Sequence, residues 1–316
     1  MTIGGLFKVP TQHTWLGRIP RFPSWASRQL GASRNGWVSG CQKTVRDIVS
    51  PHPTGLKCSA MTRRRLVTTA VAAPLASAAV NPPKNQYFEI RKYHLRNTPD
   101  NQRQRMSQYL EKAVMPAFHR AGVTQTGFFA SMIAPDTPFL LTIYAHASLA
   151  AYEEAHAKVG ADPEFIKQQT AFFSQPGLNF VRYETSMLKA FDAMPGIEIP
   201  APGKSPRVFE LRTYESNTNL TLRKKVGMFA DGEIAIFRKT GLNPLFFGTT
   251  SLGVNQPNLT YMLWFDDLAT REKNWKAFVS HPDWNKLKAT PGLSDAEIVS
   301  NISNIILTPL PFSPIR

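Results

Sequence analysis

Cysteine is nearly missing from the chain: Cys41 and Cys58 are the only two in 316 residues. Both precede the patterned part of the sequence, which therefore has no disulfide framework, no thiol nucleophile and no cysteine-based metal site. Acid is missing from the first 65 residues, which hold 11 Lys/Arg and only Asp47 on the other side. The formal net charge of +15 is thus concentrated there, and the remaining chain carries 26 basic and 21 acidic residues. No basic run interleaved with aromatics occurs in that remainder, so nucleic acid is not an expected partner. Phosphate-cradling glycine motifs and a Gly-x-Ser-x-Gly elbow are also missing, which sets aside nucleotide-binding and hydrolase classes.

Long apolar runs are scarce as well. The longest weak candidate, Thr68 to Leu75, is too short and too rich in Ala and Thr to form a spanning helix. It follows Arg63-Arg64-Arg65 and precedes Ala76-Ser77-Ala78, an arrangement of charged, apolar and small-residue regions that resembles a twin-arginine export signal, cleaved after Ala78. The signal would occupy residues 61–78, with Arg63, Arg64, Ala76 and Ala78 as its marks. Residues 1–60, rich in Arg, Trp, Pro and Gly without periodicity, read as a disordered or mis-assigned extension upstream of Met61. The expected destination is the periplasm or the exterior. An Arg-rich organellar transit peptide, hence a mitochondrial location, is the alternative.

What the chain does have is a repeat. Tyr87-Phe88-Glu89-Ile90-Arg91-Lys92-Tyr93 returns 121 positions later as Val208-Phe209-Glu210-Leu211-Arg212-Thr213-Tyr214. Strict alternation makes both strands, each with an apolar face and a Glu-Arg-Tyr face. After the first strand, apolar residues at three- and four-residue steps predict a helix over 103–121. Strands follow at 124–133 and 139–145, then helical segments at 149–159 and 164–173 broken by Gly160-Ala161-Asp162-Pro163, then a strand from about 179 to 190. The order β-α-β-β-α-β is a split βαβ unit, ferredoxin-like. A Pro/Gly linker at 192–206 separates copy one, 86–191, from copy two, 207–312. Helices on one side of each four-stranded sheet leave the other side bare, so the two sheets should cover each other as an intrachain α+β barrel. The Glu-Arg-Tyr rows are expected on those mutually covered faces. In copy two, Asp231-Gly232 interrupts the first helix and suggests the more degenerate half.

The strand opening, the apolar third strand ending in Tyr144 or Trp264-Phe265, and the Asp162-Pro163-Glu164-Phe165 or His281-Pro282-Asp283-Trp284 element resemble the NIPSNAP domain over nearly all of residues 87–312. The resemblance implies the dimeric α/β-barrel group, which includes monooxygenases, EthD-like proteins and haem-handling enzymes. It carries over no agreed catalytic residue set.

Candidate ligand-binding residues are Glu89, Arg91, Glu210, Arg212 and Tyr214, either as internal salt bridges or as groups that bind a small molecule. His94 and Tyr93 are the catalytic candidates; His94, at a strand end near a barrel mouth, could act as a base or a haem ligand. No cofactor is demanded by the sequence. His146 and His156 show no metal-ligand spacing with a carboxylate in register, so no metal site is expected. The expected function is binding of a small molecule, a protein partner or a second copy. An oxidoreductase, monooxygenase or isomerase of the barrel group is the alternative, and whether the chain is an enzyme stays open.

Overall fold

Eight strands close into one antiparallel barrel in the order β1-β3-β2-β8-β5-β7-β6-β4. A computed structural model describes residues 85–203 and 206–316; the calls on residues 1–60 and 61–78 lie outside them. Copy one supplies β1 (Tyr87–His94), α1 (Gln102–Tyr109), a π turn (Leu110–Val114), α2 (Met115–Arg120), β2 (Thr126–Ile133), β3 (Phe139–His146), α3 (Leu149–Ala161), α4 (Pro163–Phe173) and β4 (Arg182–Ala190). Copy two supplies β5 (Val208–Glu215), α5 (Asn219–Met228), a π turn (Phe229–Glu233), α6 (Ile234–Lys239), β6 (Asn243–Leu252), β7 (Asn258–Phe265), α7 (Leu268–Ser280), α8 (Pro282–Lys288), a short α9 (Asp295–Ile298) and β8 (Asn301–Pro309).

Each copy alone would be an open four-stranded sheet with two unpaired edges, a liability in any sheet. The copies remove each other's edges: β2 pairs with β8 and β4 pairs with β6. The segment 192–206 helps to hold them, because Gln86 N donates to Pro195 O at 2.8 Å and Glu198 N donates to Leu245 O at 2.9 Å.

The barrel interior corrects one expectation. It is filled by the apolar rows, Phe88 and Ile90 from copy one and Phe209 and Leu211 from copy two, with Phe129, Phe246 and Met262. Ring pairs cross between the copies, Phe88 with Phe246 and Phe129 with Phe209, both at 4.9 Å between centroids. The Glu-Arg-Tyr rows therefore point outward, beneath the helices, where Tyr93 and Tyr214 join the two helix-on-sheet cores. Alternation defines two faces without saying which one the partner covers. An eight-stranded barrel has just enough room for side chains to fill it, and this one is packed with apolar groups, so charged rows inside it would lack partners. Under the helices, gaps and donors are available.

The interruption at Asp231-Gly232 is shared in part. Copy one makes a π turn 119 positions earlier, but only in copy two does the backbone leave helical angles, at Gly232 (φ 179°, ψ −33°). Such turns often mark functional sites.

Candidate functional site

Glu89 is the centre of the site in copy one. Its side chain is fully buried, and it stands on β1 beside β3 in the register Tyr87↔His146 and Glu89↔Tyr144. That register puts His146 diagonally across from Glu89 on the same face. Ser148 Oγ accepts from Ala151 N at 3.0 Å and so starts α3; two turns later His156 comes down onto the same carboxylate. Glu89 Oε2 accepts from Nε2 of His146 at 3.1 Å and Nε2 of His156 at 2.9 Å, while Oε1 accepts from Arg91 Nη2. Burial pushes the Glu89 carboxyl up, but the two histidine hydrogen bonds and the Arg91 charge outweigh it and hold the group at about 2. The carboxylate is thus ionised at neutral pH.

The expectation of no carboxylate in register with the histidines is overturned. Glu89, His146 and His156 present ligand atoms that all lie within 4.8 Å of one another. Sequence spacing hid this because the carboxylate comes from another strand, 57 residues before His146. Aligning β1 against β3 antiparallel would have revealed half of it.

Above this cluster opens a cavity of about 370 Å³, lined by Arg91, Tyr93, His156 and by Tyr109, Phe118, Phe165, Phe173, Phe180 and Tyr183. The size and aromatic lining are those of a small-molecule pocket. The Arg91 guanidinium lies 5.2 Å from the centroid of Tyr183, a cation–π contact at the pocket wall. Polar atoms around the floor are left over: Arg91 Nε, Thr142 Oγ1, Tyr144 OH and His146 Nδ1 are buried with no hydrogen-bond partner among the described residues. Buried polar atoms are nearly always paired, so a cluster of unpaired ones calls for an explanation.

Of the catalytic candidates, Tyr93 lines this cavity and His94 does not. His94 ends β1 on the opposite face, buried, with Nε2 3.0 Å from Glu184 Oε1.

Copy two has the same frame with different contents. Glu210 accepts from Arg212 Nη1 at 2.8 Å, from Arg271 Nε at 2.9 Å and Nη2 at 2.6 Å, from Trp275 Nε1 at 2.8 Å and from Asn304 Nδ2 at 3.0 Å. Burial raises its carboxyl, but these donors and charges lower it overall. Helix landmarks recur 119 positions on, so Arg271 replaces Tyr152 and Trp275 replaces His156. Val159 and Phe165 become Phe278 and Trp284, whose rings pack at 4.6 Å, with Phe237 against Phe278 at 4.9 Å. Tyr214 completes the closed network by accepting from Tyr261 OH at 2.9 Å.

Copy two also buries an ion pair that copy one lacks. Lys225 and Glu233 stand where copy one has Met106 and Val114, with Lys225 Nζ 3.1 Å from Glu233 and 3.2 Å from Asp295 of α9. Burial pushes the Glu233 carboxyl up to about 7, against the opposing pull of Lys225.

No curated protein matches the chain. Among solved structures, an uncharacterised NIPSNAP-like domain protein from Burkholderia xenovorans is 22% identical, with 34% of this chain and 89% of that one covered at a TM-score of 0.31. A NIPSNAP family protein of unknown function from Agrobacterium tumefaciens is 18% identical, covering 36% and 97% at 0.32. A protein described as a candidate monooxygenase from Lactobacillus acidophilus NCFM is 13% identical, covering 71% and 94% at 0.48. The NIPSNAP family model matches residues 88–194 and 209–314. Matched over both repeats, the chain belongs to the NIPSNAP family and carries two tandem copies of its domain.

Proposed function

We propose that copy one binds a small, flat molecule bearing an acidic oxygen, and that copy two serves as the structural half that closes the barrel. The observation that carries this reading is the difference at equivalent positions: the 370 Å³ cavity of copy one faces residues whose counterparts in copy two are Trp275, Phe278 and Trp284. The aromatic walls suit a planar apolar body. Arg91 and His156, which line the cavity, suit a carboxylate, phenolate or enolate at the floor.

Titration of the full chain with 2-naphthoate by calorimetry tests it. The expected Kd is about 10–100 μM, weakened at least about tenfold by Arg91→Met, the equivalent of about 1.4 kcal/mol. Val159→Phe, which copies Phe278 into the pocket, should abolish binding while leaving the thermal melt nearly unchanged. Undiminished binding by Val159→Phe sinks the reading.

The export expectation stands as a further part of this proposal. It is supported by Arg63-Arg64 and by Ala76-Ser77-Ala78. In a bacterial host, Arg63→Lys with Arg64→Lys should leave the protein unprocessed in the cytoplasm; normal processing would refute it. No helix among the described residues is long and apolar enough to cross a membrane.

A further inference from the structure

The floor of the pocket in copy one is built differently from the two other buried carboxylates among the described residues. Glu210 lies between Arg212 and Arg271, and Glu233 faces Lys225. Glu89 has Arg91 on Oε1 only. On Oε2, where copy two brings the Arg271 guanidinium, copy one brings two imidazoles by their Nε2 atoms.

From this we infer that Glu89, His146 and His156 form a binding site for one divalent first-row transition ion. Three arguments support it. The first is proximity: the three ligand atoms lie within 4.8 Å of one another, with Oε2 to Nε2 separations of 3.1 and 2.9 Å, and on taking an ion the two imidazoles would turn from donating Nε2–H to the carboxylate to offering their Nε2 lone pairs. The second is donor chemistry: two imidazoles and one carboxylate suit Fe(II), Co(II) or Zn(II) and are a poor set for calcium or magnesium, which prefer all-oxygen shells. The third is support and access. Arg91 holds the oxygen that the ion would not use, as outer partners of ligating carboxylates do. His146 is buried on the strand side, while His156 is 28% exposed and lines the pocket, so His156 is the ligand that connects the site to the cavity. Copy two cannot do the same, because Phe265 and Trp275 stand where copy one has His146 and His156, and Arg271, the counterpart of Tyr152, donates to the carboxylate instead.

The ion would sit at the end of the cavity where the acidic oxygen of a bound molecule is expected, so the inference adds a partner to the pocket. It does not depend on the pocket reading, since metal binding is measured without an organic ligand and 2-naphthoate binding can be measured on chelator-treated protein.

The experiment is equilibrium dialysis of the chelator-treated full chain against Co(II), with metal quantified by mass spectrometry and the ligand-field spectrum recorded. One equivalent per chain with a Kd at or below about 10 μM is expected. His146→Gln and His156→Gln should each weaken binding at least about tenfold, the lower end of what losing a supporting group alone costs. His281→Gln, in copy two, should leave it unchanged. Folding of each variant is checked by its melt, and the wild-type stoichiometry decides the matter even if His146→Gln does not fold. Less than half an equivalent bound by wild type, or full binding by both folded variants, overturns the inference.

Discussion

The two copies share a frame and divide in what the frame encloses. Both place a Glu-x-Arg-x-Tyr strand under a helix, and both carry a π turn at the same point of the preceding helix. Copy two saturates its carboxylate with two arginines, an indole and an amide, and fills the space above with Phe278 and Trp284. Copy one leaves two imidazoles on its carboxylate, several buried polar atoms without partners where copy two leaves Arg212 Nε, and a cavity above. Closed polar networks stabilise and incomplete ones are costly.

The largest test of the comparison is to cut it. Residues 85–200 expressed alone expose the β2 and β4 edges and the Phe88, Ile90 and Phe129 face. The fragment should dimerise or aggregate in sedimentation, and a stable monomer would mean that the copies are independent.

Removing one carboxylate at a time comes next. Glu210→Gln leaves Arg212 and Arg271 facing each other without an anion and should cost about 3–5 kcal/mol. Glu89→Gln leaves a single arginine, 18% exposed at the pocket, without its anion. It should cost about 1–3 kcal/mol. Urea unfolding of both variants checks the order, and equal losses would remove the claimed difference between scaffold and site.

A pH dependence that Glu233 contributes in copy two is the last test. Glu233 keeps its proton up to about pH 7 in the folded chain, whereas an unfolded glutamate releases it near 4.3. Between these values the folded state binds more protons, so stability falls as pH rises across the window, by up to about 3 kcal/mol. The group behind it is Glu233 beside Lys225, Asp295 and Tyr214. Glu233→Gln should flatten that slope in melts from pH 4.5 to 7; an unchanged slope would show that the carboxyl is already ionised there.

Much of the fold could be read from residue order. The alternation of Phe88, Glu89, Ile90 and Arg91, the break at Asp162-Pro163 and the return of both 119 to 121 positions later specify strands, helix starts and duplication through local geometry alone. Ser148 and Asp162 act as caps where the pattern placed helix starts, because capping involves neighbours in sequence. The candidate site was legible in part: Glu89, Arg91 and Tyr93 were singled out, whereas His146, His156 and Tyr183 were not. The helix of residues 103–121 gave no sign of its π turn, which is a matter of packing.

By itself, then, the sequence determined the strand faces, the element order and the pairing of the copies into one barrel, since period, capping and exposed edges are properties of short segments. Only the tertiary structure decided which face turned inward, because that depends on a closed interior packed with apolar groups that offer charge no partners. It alone also brought Glu89, His146 and His156 to a single point and left space beside them in one copy, since strand register and helix docking join residues that spacing along the chain keeps apart.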